Sequence, residues 1–94
     1  MAKKCKKCLH AYLEGIVQGV GMRNYVKKQA DDLGIVGFVR NLPDGRVELA
    51  GEGEEEKLKD LYSRIENSRT GRVDKIEADW LKAEGKYDSF EIRF

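Results

Sequence analysis

The sequence is poor in the residues that usually build metal sites or carry covalent catalysis. Its 94 residues include one histidine, two cysteines and one proline. Opposite charges nearly cancel, because 18 lysines and arginines stand against 17 aspartates and glutamates. The resulting net charge of +1 gives no general attraction to nucleic acid or to an anionic membrane. The apolar runs are too short to span a bilayer and the N-terminus lacks the apolar core of a secretory signal, so we expect a cytoplasmic protein.

The length fits one compact domain. Residues 1–8 form a short basic tail that is rich in lysine, with Lys3, Lys4, Lys6 and Lys7. Such a tail is usually a solvated chain end. Residues 9–94 carry the alternating and helical patterns of a folded unit, so we expect the domain to begin at residue 9.

Periodicity within that unit predicts five strands and two helices. Apolar and polar side chains alternate over residues 9–13, 46–51, 73–81 and 90–94, which predicts strands, and a short apolar run that ends at a turn predicts another over residues 36–42. Apolar residues recur at helical spacing over residues 22–33 and 54–65. The order β-α-β-β-α-β predicts an α+β, ferredoxin-like split sheet, antiparallel, with both helices on one face. In this fold the first and second strands run parallel with the third between them.

A glycine-rich segment between the first strand and the first helix is the most informative stretch. Residues 15–24 read GIVQGVGMRN, with glycines at 15, 19 and 21. Without Cβ atoms at these positions, main-chain N–H groups can turn inward at the positive end of the following helix. Arg23 adds a planar fork of donors that suits two oxygens of one phosphate. The segment therefore predicts a pocket for a small anion.

A second stretch, residues 37–45, reads GFVRNLPDG and ends in a turn. Its polar residue of interest is Asn41. Because the first and second strands run parallel, we expect the glycine loop and Asn41 side by side, about 10 Å apart from main chain to main chain. This spacing leaves room for a phosphate and one water.

Two standard phosphate-binding loops do not fit the glycine segment. A Walker loop ends in Gly-Lys-Ser/Thr, whereas this chain has Gly21, Met22 and Arg23. A dinucleotide fingerprint needs a third glycine where Asn24 stands. A plain glycine-rich turn with a surface arginine remains the simplest alternative.

The residue types that are missing from both stretches restrict the possible reaction mechanisms. Neither contains serine, threonine or cysteine, and the only histidine, His10, precedes the loop. A covalent phosphoenzyme is therefore not expected. A two-metal phosphatase is not expected either, because no cluster of Asp, Glu and His at metal-ligand spacing surrounds the loop. Main-chain amides, Arg23 and the Asn41 carboxamide can stabilise charge and orient water, but they supply no general acid. The leaving group of the substrate must therefore depart as a stable anion without protonation by the protein. Acyl phosphates meet this condition, because they release a carboxylate, whose acid has a pKa of about 4.

Together the two stretches resemble the acylphosphatase family. Its signature is a loop close to G-x-V-Q-G-V-x-F/Y-R followed by a G-F/W-V-R-N strand, and only Met22 departs, where the family usually carries an aromatic residue. The resemblance covers residues 9–94 and implies an added edge strand at the C-terminus.

This family resemblance also implies an activity and a set of site residues. The activity is hydrolysis of an acyl phosphate to carboxylate and inorganic phosphate by direct attack of water, without metal or cofactor, and we expect a monomer. The implied catalytic residues are Arg23 and Asn41. The implied phosphate-binding residues are Gln18, Gly19, Val20, Gly21, Met22 and Arg23.

Other functions remain open from the sequence. A non-catalytic module that binds phosphorylated metabolites, or one that handles carbamoyl phosphate within a larger maturation protein, would use the same pocket. Cys5 and Cys8 with His10 offer at most three metal ligands, whereas structural zinc takes four. An RNA-binding module could use Tyr12 and Phe38, but the third strand lacks the aromatic residues of that motif.

Overall fold

The chain folds into a sheet with two helices packed on one face. The structure, a computed structural model, describes residues 6–94. In chain order its elements are β1 (Lys6–Ile16), α1 (Met22–Asp32), β2 (Val36–Asn41), β3 (Val47–Glu54), α2 (Glu55–Glu66), β4 (Arg72–Lys82) and β5 (Phe90–Arg93). The five strands and two helices that periodicity predicts are thereby confirmed, with small shifts at their ends.

The strand order across the sheet is β4-β1-β3-β2-β5. β3 pairs antiparallel with both β1 and β2, so β1 and β2 are parallel to each other with β3 between them, as predicted. β5 is the expected added edge strand, but it pairs parallel with β2. The prediction of an antiparallel sheet is therefore wrong at this edge. The reason is that the chain crosses the end of the sheet after β4 and enters β5 from the end where β2 begins.

The face of the sheet beneath the helices is apolar. β1 buries Leu9, Ala11 and Leu13 there, which confirms the predicted alternation. Each helix turns one apolar stripe onto this face; the fully buried residues are Met22, Val26 and Ala30 in α1 and Leu58, Leu61 and Ile65 in α2.

β1 begins earlier than the sequence predicts. Residues 6–8, which we assigned to the basic tail, pair with β3 and belong to the sheet. Lys3, Lys4 and Cys5 lie outside the described residues. Cys8 is a free thiol in β1, and its pKa is raised by burial and by the charge of Glu52. Within residues 6–94, no three His, Cys, Asp or Glu side chains are grouped so that they could hold a metal ion.

The opposite face of the sheet buries two carboxylates of β3, Glu48 and Glu52. Glu48 in β3 is 6% exposed and accepts hydrogen bonds from Arg40 and from His10, whose Nε2 lies 2.7 Å from Glu48 Oε2. Burial acts to raise the pKa of Glu48, but the hydrogen bonds from His10 and Arg40 outweigh it and hold the pKa below its ordinary value. The only histidine therefore links neighbouring strands and lies on the face away from the helices.

The aromatic residues of this face are covered by arginines. The guanidinium of Arg93 lies 4.3 Å from the centre of the Phe38 ring, and that of Arg46 lies 4.6 Å from the centre of the Tyr12 ring. Phe38 is only 8% exposed. RNA-binding sheets need exposed rings for base stacking, so this arrangement does not favour the RNA-binding alternative. No helix in the described part of the chain is long and apolar enough to cross a membrane.

Candidate functional site

The glycine loop, residues 17–21, is fixed at both ends and open in its middle. Val17 and Met22 are each 1% exposed and belong to the apolar core. Met22, the one departure from the family signature, thus fills a core position. Gly19 and Gly21 have φ values of +73° and +82°, which only glycine adopts without strain. Any residue other than glycine at position 19 or 21 would therefore strain the main chain of the loop.

The main-chain donors of this loop are not used within the fold. In the part of the chain that the structure describes, the N–H groups of residues 19–24 find no acceptor. The first bond of α1 is donated by the Tyr25 N–H to the carbonyl oxygen of Gly21, at 3.0 Å. Unpaired N–H groups at a helix N-terminus carry partial positive charge and favour an anion. The loop presents a set of such donors.

Arg23 and Asn41 border one cavity of about 290 Å³ above this loop. The cavity joins the loop, the end of β2 and the end of β5, and its walls are Val17, Gly19, Gly21, Met22, Arg23, Asn24, Asn41, Ile92 and Phe94. The expected juxtaposition of the glycine loop with Asn41 is present.

Arg23 is free to bind an anion. Its guanidinium carbon lies 5.0 Å from the centre of the Phe94 ring. Among residues 6–94 no carboxylate forms an ion pair with it, in contrast to Arg40, Arg46, Arg64 and Arg72. Its donors therefore remain available, while the ring restricts where the guanidinium can lie.

Asn41 carries a polar atom that the fold leaves unpaired. Its Oδ1 is buried and has no hydrogen-bond partner among the described residues. Buried acceptors without partners are rare and costly, and they cluster where function requires them. An acceptor in this position suits a ligand donor such as a water molecule.

Two of the predicted phosphate-binding residues, Gln18 and Val20, do not border the cavity. The Gln18 side chain instead donates from Nε2 to the carbonyl oxygens of Leu42 and Arg46, at 2.7 and 2.9 Å. Leu42 directly follows Asn41, so Gln18 ties the glycine loop to the turn that carries Asn41. Its side chain holds the two halves of the site together.

Sequence reasoning missed four residues that border the cavity, namely Val17, Asn24, Ile92 and Phe94. Ile92 pairs with Val39 in the parallel ladder between β2 and β5, which brings the end of β5 beside Asn41. The alternation of Phe90, Ile92 and Phe94 was the available signal. It predicts a strand but says nothing about which strand lies beside it.

Comparison with known proteins identifies the family. Residues 9–92 match the family model described as Acylphosphatase. This chain belongs to the acylphosphatase family. The acylphosphatase of Caldanaerobacter subterraneus subsp. tengcongensis is 46% identical over 88 residues, which cover 93% of this chain and 98% of that protein. The acylphosphatase of Pseudomonas paraeruginosa is 49% identical over 79 residues, which cover 83% of this chain and 87% of that protein.

Solved structures agree with this acylphosphatase assignment. The crystal structure of acylphosphatase from Bacillus subtilis matches with a TM-score of 0.89 at 31% identity, over 94% of this chain and 99% of that one. The predicted family, the ferredoxin-like fold with its added strand and the prediction of an acylphosphatase enzyme are thus confirmed.

Replacement of Gln18 by alanine tests whether it holds the two halves of the acylphosphatase site together. The change removes both hydrogen bonds to the turn after β2 and frees the main chain that carries Asn41. We expect kcat to fall about tenfold with little change in phosphate affinity, because small displacements of positioned groups slow reactions strongly. Steady-state kinetics with inorganic phosphate as competitive inhibitor measure both quantities.

The matched control is Gln29→Ala, since Gln29 accepts a hydrogen bond from Arg64 on the helical layer. It should leave kcat unchanged. If Gln18→Ala weakened phosphate binding and left kcat intact, Gln18 would be a ligand of the phosphate and not a tie.

Proposed function

We propose that this chain hydrolyses the carboxyl–phosphate bond of acyl phosphates by direct, metal-independent attack of water, giving a carboxylate and inorganic phosphate. The observation that carries the proposal is the unpaired Oδ1 of Asn41, which borders the same cavity as the unpaired guanidinium of Arg23. One group is an acceptor suited to water, and the other is a donor suited to phosphate. Family membership supports the same reaction.

The glycine loop and Arg23 bind the phosphoryl group of the substrate. The free N–H groups of residues 19–24 and the guanidinium of Arg23 hold the phosphoryl oxygens of the substrate. These donors are already oriented by the fold, so little reorganisation is needed when negative charge shifts in the transition state. Gly19, Gly21 and Met22 contribute through their main chain.

Asn41 positions the attacking water molecule. Its Oδ1 accepts a hydrogen bond from a water molecule and places the water oxygen opposite the leaving carboxylate. A bond from the water oxygen to phosphorus forms while the bond from phosphorus to the acyl oxygen breaks. Among the described residues, the side chains that line the cavity include no carboxylate and no imidazole, so the proton of the water passes to an oxygen of the phosphoryl group.

The leaving group explains why this equipment suffices. A carboxylate is stable as an anion because its acid has a pKa of about 4. The bond to phosphorus can then break without a proton from the protein. An alkyl phosphate ester must expel an alkoxide, and that reaction needs a general acid that the cavity lacks.

Hydrolysis of acetyl phosphate in the presence of EDTA tests the proposal. We expect the rate to be unaffected by the chelator, and we expect phosphoserine to be cleaved at least about 10²-fold more slowly, since general acid catalysis is worth that much. Release of inorganic phosphate measures both reactions. Loss of activity in EDTA with recovery on added Mg²⁺ would contradict metal independence. Phosphate binding without hydrolysis would favour the non-catalytic module.

We also propose that the enzyme acts as a cytoplasmic monomer without a cofactor or a nucleic-acid partner. The net charge of only +1 supports the absence of a nucleic-acid partner, because it gives no general attraction to phosphate backbones.

A further inference from the structure

The connection between α2 and β4, residues 67–71, packs against the glycine loop from outside the cavity. We call it the α2–β4 loop. Gly71 lies against Ile16, which directly precedes the glycine loop, and against Val20 within it: a Cβ atom on Gly71 would stand 2.2 Å from the carbonyl oxygen of Ile16 and 2.7 Å from Cγ2 of Val20. Real Cβ contacts are never this short. The main chain of Gly71 therefore occupies space that a side chain would take from the glycine loop.

A second contact joins the same two loops. A Cβ atom on Gly21 would lie 3.8 Å from Cγ2 of Thr70, so the Thr70 methyl group borders the residue that precedes α1. Together Gly71 and Thr70 contact Ile16, just before the glycine loop, and Val20 and Gly21 within it.

The α2–β4 loop is held firmly enough to act as a support. The N–H of Thr70 donates to Ser68 Oγ at 2.9 Å, and the N–H of Ser68 donates to the carbonyl oxygen of Ile65 at 3.1 Å. Asn67 Nδ2 donates to the carbonyl oxygen of Ser63 at 2.8 Å, which fixes the loop to the end of α2. The loop thus transmits the position of α2 to the glycine loop.

We propose that Gly71 is a positioning residue for phosphate binding: it lets the α2–β4 loop seat against residues 16–20 and so sets the direction of the loop N–H groups. The proposal rests on the proposed phosphate-binding role of that loop. It also accounts for Val20, whose side chain does not border the cavity but contacts Gly71. Movement of the Ile16 carbonyl or of Val20 would rotate the peptide planes between them and turn the donors away from a common centre.

Comparison of Gly71→Ala with Gly85→Ala tests this role. The two glycines have nearly equal φ values, +74° and +72°, but a Cβ on Gly85 meets nothing within 4 Å. Gly85→Ala therefore reproduces the strain of alanine at positive φ without the close contacts. We expect Gly71→Ala to weaken phosphate binding about tenfold and to lower kcat/KM similarly, while Gly85→Ala stays within twofold of the parent chain.

Calorimetric titration with inorganic phosphate measures the affinity without any turnover. It therefore judges Gly71 even if the parent chain fails to hydrolyse acetyl phosphate, a result that would contradict only the proposed function. Amide chemical shifts of residues 19–24 during the same titration report whether the donors still engage phosphate. A folded Gly71→Ala protein with the affinity of Gly85→Ala would overturn the proposal.

A milder variant covers the case in which Gly71→Ala does not fold. Thr70→Ser keeps the hydroxyl group but removes the methyl group that borders Gly21. We expect phosphate affinity to fall about threefold with an unchanged midpoint of thermal unfolding. Affinity equal to that of the parent chain would show that the α2–β4 loop does not position the donors.

Discussion

Replacement of Arg23 by lysine should remove nearly all activity although it conserves the positive charge. A guanidinium can hold two phosphoryl oxygens at once, whereas an ammonium binds as a compact point charge. We expect kcat/KM for acetyl phosphate to fall about 10³-fold, in the range observed when a charge-stabilising donor is lost from an active site. Steady-state kinetics with a high enzyme concentration measure the residual rate.

The control for Arg23→Lys is Arg93→Lys. Arg93 also stacks on an aromatic ring, that of Phe38, but its guanidinium lies on the face of the sheet away from the helices. Activity should survive this change. If Arg23→Lys kept most of the rate, the charge alone would be sufficient and the two-oxygen geometry would be wrong.

Replacement of Asn41 by alanine should lower turnover far more than phosphate affinity. The carboxamide positions water in the proposed mechanism, so its loss should reduce kcat about 10²-fold or more, whereas the affinity for inorganic phosphate should change by less than about threefold. The variant should be at least as stable as the parent chain, because the change removes a buried oxygen that has no partner in the described structure. Kinetics and denaturant unfolding on one preparation measure both effects.

Asn41→Gln separates chemistry from position. It keeps the carboxamide and moves it by one methylene group, so we expect its kcat to stay well below that of the parent chain. Equal losses of turnover and phosphate affinity in Asn41→Ala would instead make Asn41 a ligand of the phosphate.

The sequence predicts the centre of the site because local pattern and topology agree there. Alternation identifies β1, a short apolar run that ends at a turn identifies β2, and the split-sheet topology places the two strands parallel to each other on either side of β3. That alone brings the glycine loop and Asn41 to the same edge of the sheet. The burial of Met22 follows from its place in the apolar stripe of α1.

The residues that hold the site in place could not be predicted from the sequence, because their roles depend on contacts between segments that are distant in the chain. The Q in the loop motif suggests a phosphate ligand, but the bonding of Gln18 to Leu42 and Arg46 depends on where the turn after β2 lies. Gly71 reads as an ordinary turn residue until its approach to Ile16 is seen. The direction of β5 also could not be predicted from the sequence, since apolar and polar residues alternate in the same way in parallel and antiparallel strands.

The parallel direction of β5 beside β2 also determines at which end of the chain a tag or label can be attached. Polypeptide joined after Phe94 would emerge at the mouth of the cavity that Arg23 and Asn41 border. The start of β1 lies at the other end of an 11-residue strand, about 33 Å away. Affinity handles, dyes and surface linkers therefore belong before β1.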